Sequence, residues 1–182
     1  MENLAILVPL KDFHVAKRRL REGGMAGVND VSRSLAERVL AASRPRRVIV
    51  ACESSEVADF AIARGAEVVE SRARGLNEAV ANAYRIVSPR FSRIIIAHGD
   101  LREPEGLGVF VPLGGVTVFA DSHGKGTNVL ALPSGIDFNF HFGHDSASAH
   151  QREAQRLGLE IRIVFDSPWR FDVDEPEDLL SK

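Results

Sequence analysis

Residues that could handle phosphates and a divalent metal fall in five separated segments of the chain. The first, Pro9 to Arg19, holds Lys11, Lys17, Arg18 and Arg19, four cations within eleven residues, directly after the apolar run Leu4–Pro9. With that run as a strand, the cations stand near its carboxyl end, where open α/β sheets bind ligands and where Lys and Arg can neutralise phosphate charge. The same residues also read as a solvated basic helix face. His98-Gly99-Asp100 follows the run Ile94-Ile95-Ile96-Ala97. A carboxylate there offers hard oxygen to magnesium, which is commonly held by one or two carboxylates plus substrate phosphates. Its alternative use is to cap the next turn. Asp172-Val173-Asp174-Glu175 brings a second acidic group. In an extended segment Asp172 and Asp174 share one side while Val173 packs inward. Asp174 equally suits the N-cap of a helix from Glu175-Pro176.

Two glycine-containing loops complete the set. Gly124-Lys125-Gly126-Thr127-Asn128 can present backbone N–H groups, a hydroxyl and a cation to an anion. Phe142-Gly143-His144-Asp145-Ser146 leads into a helix, and a helix N-terminus attracts phosphate. Capping by the Asp145 or Ser146 side chain is the other reading. His98, His141, His144 and His150 lie near these loops without zinc spacing, and read as supporting groups. Neither G-x-x-x-x-G-K-[ST] nor G-x-G-x-x-G occurs after the first strand, which disfavours a P-loop hydrolase or a dinucleotide enzyme.

The elements that must position these groups follow from hydrophobic patterning. Strands are expected near Leu4–Pro9, Arg47–Cys52, Ala66–Glu70, Arg93–His98, Val116–Ala120, Asn128–Leu132 and Glu160–Phe165. Helices are expected at Val15–Arg21, Val28–Ser43, Ser55–Arg64, Leu76–Val87, Ser146–Leu157 and from Glu175, with stops at Gly65, Pro89 and Gly158. Continuous apolar strands alternating with helices imply a parallel sheet covered on both faces. After Asp100 the strands come closer together, which calls for some antiparallel pairing.

Composition bounds the function. With 182 residues, 45% hydrophobic and 26% charged, the chain reads as one domain spanning 1–182. A net charge of -2 gives no basic surface for nucleic acid or anionic membrane. The longest apolar runs fall far short of the roughly 20 residues that span a bilayer. The N-terminus reads as a strand instead of a signal peptide, so the expected compartment is the cytoplasm. The single cysteine, Cys52, reads as a buried structural thiol.

These segments together resemble the 2-phospho-L-lactate guanylyltransferase family of coenzyme F-420 biosynthesis. The resemblance runs through Val8-Pro9-Leu10-Lys11, Ala16-Lys17-Arg18-Arg19-Leu20, Gly75-Leu76-Asn77, Asp100-Leu101, Gly124 to Asn128, Phe140 to Ser146 with His150, and Asp172 to Leu179. It implies an α/β, Rossmann-like nucleotidyltransferase of the glycosyltransferase-A type, a three-layer sandwich with a mixed, mostly parallel sheet. The implied substrates are GTP and 2-phospho-L-lactate, phosphoenolpyruvate or 3-phospho-D-glycerate, with Mg2+ as cofactor. By resemblance Thr127, Gly143 and Ser146 hold the acceptor's phosphate, and Asp100, Asp172 and Asp174 hold the metal. Lys11, Lys17 and Arg19 hold the triphosphate, Asn77 is a further substrate contact, and Asp100, Lys17 and Lys11 serve catalysis. Arg102, Lys125 and His144 depart from the family pattern and are expected to crowd the acceptor side with cations. Alternative readings are a molybdenum-cofactor guanylyltransferase or a cytidylyltransferase of the same fold, and a non-catalytic nucleotide-binding domain. A homodimer is the default assembly for such an enzyme.

Overall fold

The apolar runs become seven strands: β1 Leu4–Leu10, β2 Arg47–Cys52, β3 Glu67–Glu70, β4 Arg93–Ala97, β5 Val116–Ala120, β6 Thr127–Pro133 and β7 Ile161–Val164. The computed structural model describes residues 3–22, 24–71, 75–174 and 178, without the side chains of residues 18 and 19. The strands form one sheet in the order β3-β2-β1-β4-β6-β5-β7. Only β6 runs against its neighbours, pairing antiparallel with both β4 and β5, while all the other pairs are parallel.

The described residues form five α-helices, α1 Arg18–Glu22, α2 Val28–Ala42, α3 Ser55–Ala63, α4 Leu76–Val87 and α5 Ser146–Arg156, of which α2 to α5 pack on the sheet. The connections from β1 to β2 and from β2 to β3 step one way across the sheet, whereas the connection from β3 returns to β4 on the far side of β1. Right-handed crossovers therefore put α2 and α3 on one face and α4 on the other. The packing follows. Val39 and Leu40 of α2 and Val57 and Phe60 of α3 meet Ile6, Val8, Val50 and Ile95. Val80 and Val87 of α4 and Ala147 and Ala154 of α5 meet Leu7, Ile49, Ile94 and Ile96. Strands so covered on both faces have no reason to alternate polar with apolar residues, and Ile94, Ile95 and Ile96 are all fully buried.

The strand order reverses between β1 and β4, which opens a crevice beyond their carboxyl ends. Because β6 is antiparallel to β4, its amino end at Thr127 lies at that same edge. The β5–β6 register shifts there: Phe119 pairs with Val129 but Ala120 with Thr127, leaving Asn128 as an extra residue, as in a β-bulge.

The first helix differs from its expected span. The Asp12 carbonyl accepts from the N–H groups of Val15 at 3.1 Å and Ala16 at 2.9 Å, which turns the chain, and Lys17 has a left-handed φ of 57°. A right-handed helix cannot run through that residue, so α1 begins at Arg18. The helix expected from Glu175, with capping by Asp174, lies outside the described residues. No described helix is long and apolar enough to cross a membrane.

Candidate active site

A cleft of roughly 1200 Å³ lies at the switch point. That exceeds the ~300–1,000 Å³ of a typical small-molecule pocket and leaves room for a nucleotide and a second small substrate. Its lining brings together Lys11, Lys17, Asp100, Thr127, Gly143, Ser146, Asp172 and Asp174, which come from five separated segments of the chain.

The acidic side of the cleft is held by the backbone. Leu101 and Asp172 form an antiparallel bridge, the Arg102 N–H donates to the Phe171 carbonyl at 2.8 Å, and the Val173 N–H donates to the Asp100 carbonyl at 3.1 Å. Val173 is fully buried in a small cluster with Leu20, Val28 and Leu35, which ties the acidic segment to α1 and α2. Its two neighbours are left facing the cleft, as alternation requires. Oxygen atoms of Asp100, Asp172 and Asp174 come within 4.8 Å of one another.

Three carboxylates this close must be compensated. Lys17, whose side chain is only 7% exposed, donates from Nζ to Asp100 Oδ2 and, at 3.1 Å, to Asp174 Oδ1. Burial alone would lower the Lys17 pKa, but the charges of Asp100 and Asp174 outweigh it and raise it. For Asp100, burial opposes ionisation, yet the Lys17 ammonium holds the carboxyl below its usual range. Asp172 has no such partner: burial, then the charges of Asp100 and Asp174, push its pKa up to about 6. Among the described side chains, Lys17 is thus the one cation paired with these three carboxylates. Asp100 Oδ1 is buried and has no hydrogen-bond partner among the described residues. A hard, all-oxygen donor set with one buried oxygen unused fits a magnesium ion.

The opposite side is built by β6, α5 and the loop before α5. Thr127 and Ser146, 2% and 1% exposed, are joined by a hydrogen bond of 3.1 Å between their hydroxyls. Gly143 has φ 131°, a conformation that L side chains rarely adopt. The side-chain caps considered for α5 do not form: Asp145 occupies the N-cap position without a capping bond. Instead the Ser146 and Ala147 N–H groups donate to the carbonyls of Gly143 at 3.2 Å and Lys125 at 2.9 Å.

Asn77 takes a different place from the one expected. Its amide donates to the Phe142 carbonyl at 3.0 Å and accepts from the Phe142 N–H at 2.6 Å, so it clamps the loop next to Gly143 and is not part of the cleft lining. Arg102 also turns away from the cleft. Its guanidinium stacks 4.4 Å above the Phe171 ring and approaches Glu103 at 3.5 Å. Lys125 and His144 do line the cleft, His144 pairing with Asp145 at 2.9 Å. The side chain of Arg19 lies outside the described residues. Cys52 is buried and free, and burial raises its thiol pKa, which keeps it protonated and inert. His150, read from the sequence as a supporting group, and Asn128, marked there only as part of a motif, are buried groups that hold site residues.

The model of the family "Guanylyl transferase CofC like" matches residues 4–181. The chain belongs to the CofC-like guanylyltransferase family. Among relatives, the phosphoenolpyruvate guanylyltransferase of Chloroflexus aurantiacus is 30% identical, with 97% of this chain and 92% of that protein covered. The 2-phospho-L-lactate guanylyltransferase of Methanothermobacter thermautotrophicus is 31% identical, covering 95% and 81%. A solved nucleotidyl transferase from Methanothermobacter superposes with a TM-score of 0.69 at 14% identity, over 97% of this chain and 94% of that one, which shows a shared fold. This CofC-like chain is therefore a nucleotidyltransferase with the expected mixed, mostly parallel sheet.

Proposed function

We propose that the chain transfers GMP from GTP to a small phosphorylated acid and releases pyrophosphate, as a cytoplasmic step in coenzyme F-420 biosynthesis. The acceptor is 2-phospho-L-lactate, phosphoenolpyruvate or 3-phospho-D-glycerate. The observation that carries this reading is one cleft with three converging carboxylates on one side and a buried hydroxyl pair beside Gly143 on the other. A nucleoside triphosphate with its metal suits the first side, and the phosphate of a small acid suits the second.

In this mechanism Thr127, Gly143 and Ser146 fix the acceptor phosphate, whose oxygen is already ionised near neutral pH, so no general base is needed. That oxygen attacks the α-phosphorus of GTP. A new P–O bond forms as the bond from the α-phosphorus to the β-phosphate oxygen breaks, and pyrophosphate leaves with the electron pair. Lys11, Lys17 and Arg19 hold the triphosphate. Asp100, Asp172 and Asp174 would hold Mg2+, which supplies charge neutralisation for the reacting phosphates. The chain's own contribution is positioning two like-charged reactants and stabilising charge as it develops.

The test is pyrophosphate release from each of the four nucleoside triphosphates with magnesium and each acceptor, with the product identified by mass. GTP-dependent release requiring one acceptor, with a diphosphate-linked product, is expected. Release with another nucleotide, or no release with any of these acceptors, overturns the assignment.

A further inference from the structure

His150 is fully buried and lies one helical turn beyond Ser146 on α5, so both side chains meet β6 from the same helix face. The ring is packed against Phe142, centroids 4.9 Å apart, and Phe138, 5.8 Å apart. Both nitrogens have partners. The backbone N–H of His141 donates to Nε2 at 3.0 Å, and Nδ1 lies 3.1 Å from Thr127 Oγ1. A ring nitrogen that accepts a hydrogen bond carries no proton, so in the neutral ring the proton sits on Nδ1 and is donated to Thr127. Burial, then the neighbouring His141 and His98, push the ring's pKa down to about 3, which keeps it neutral.

This tautomer decides what the hydroxyl pair can offer. Thr127 and Ser146 have two hydroxyl protons between them, and their mutual bond uses one. If Nδ1 were an acceptor it could take the second. Because Nδ1 is a donor, the second has no acceptor among the described residues, and both side chains line the cleft. We infer that His150 is a positioning residue: by donating to Thr127 it turns the Thr127–Ser146 pair into a hydrogen-bond donor aimed at the acceptor's phosphate. This rests on the reading that an anion occupies that side of the cleft.

The experiment has one part that needs no turnover. Nitrogen-15 NMR of the wild-type protein should show His150 protonated at Nδ1 alone. Titration with inorganic phosphate should give a dissociation constant raised about tenfold or more in His150→Phe, the loss expected for a hydrogen bond to a charged group. His150→Asn, whose amide can reach the place of Nδ1, should recover most of the affinity. In turnover, His150→Phe should raise KM for the phosphorylated acid while KM for GTP stays within about twofold. A ring protonated at Nε2, phosphate affinity indifferent to His150, or an equal rise in both KM values overturns the inference. Should His150→Phe not fold, the wild-type tautomer and His150→Asn still decide it. An inactive wild type whose phosphate affinity depends on His150 sinks the proposed reaction and leaves this inference standing.

Discussion

The Asn128 amide nitrogen donates to Asp172 Oδ1 at 3.3 Å and to the Trp169 carbonyl at 3.1 Å. Both of its protons are thus used to hold the closing acidic segment against the start of β6. Asn128→Ala is expected to lower turnover by roughly 10–100-fold and stability by about 1–3 kcal/mol, as a buried carbonyl and a carboxylate lose their donor. Steady-state kinetics and chemical denaturation of the variant check this, and unchanged kcat would show that Asp172 needs no support.

Asp100 Oδ1 is buried and has no hydrogen-bond partner among the described residues. Asp100→Asn keeps the shape but removes the charge that faces Lys17, and should cost at least roughly 10²–10³-fold in kcat with the circular dichroism spectrum retained. Isothermal titration with Mg2+ and GTP should show weakened metal-dependent binding in the same variant. Normal turnover there contradicts the metal assignment.

Asn77 should behave differently, because its amide is committed to the Phe142 backbone. Asn77→Ala frees the loop that carries Gly143. The expected result is an acceptor KM raised severalfold, an unchanged GTP KM, and a stability loss of about 1–3 kcal/mol. A rise confined to the GTP KM would instead make Asn77 a nucleotide contact.

Glu153 supplies a pH prediction away from the chemistry. Its carboxylate accepts from Arg156 at 2.7 and 2.9 Å and from the Asn139 N–H at 2.8 Å. The Arg156 bonds, against some opposing burial and aided by Asn139, hold its pKa down to about 2, from 4.5. A depressed folded-state pKa means that the stabilisation is present above the unfolded value and is lost as pH falls through the folded one. The stability gap between wild type and Glu153→Gln should therefore be full at about pH 7 and close between pH 4.5 and 2. Urea denaturation across that range measures it, and a gap independent of pH would count against the carboxylate's role.

The inner strands were legible because each is a short, largely apolar run, which in β4 burial on both faces leaves uninterrupted, while the edge strands β3, Glu67–Glu70, and β7, Ile161–Val164, carry polar residues among their apolar ones. Alternation likewise put Val173 inward and its two acidic neighbours on the cleft side. What local pattern could not show is contact made across the fold. Lys17 sits in a basic stretch that favours helix, and neither its left-handed backbone nor its pairing with Asp100 and Asp174, 83 and 157 residues away, follows from that local pattern. Asn77 opens a helix like any polar residue, and its clamp on Phe142 exists only once α4 and the loop before α5 share one face of the sheet. Arg102 looked like an added cation for the cleft, but pairing between the Arg102 and Phe171 backbones brings a ring beneath its guanidinium.

At the shifted register of β6, two consecutive residues serve the two halves of the site. Thr127 reaches toward α5 and the proposed acceptor phosphate, while Asn128, the extra residue, reaches Trp169 and Asp172 on the carboxylate side. Their Cα atoms are one trans peptide apart, about 3.8 Å. On the proposed reading the two reactants are thus gauged against each other by a single stiff peptide unit, which cannot stretch as a hinge between moving lobes could. On that reading a change in acceptor size falls to the outer walls of the cleft, around Gly143 and His144, because the inner spacing is set by one peptide unit of the main chain.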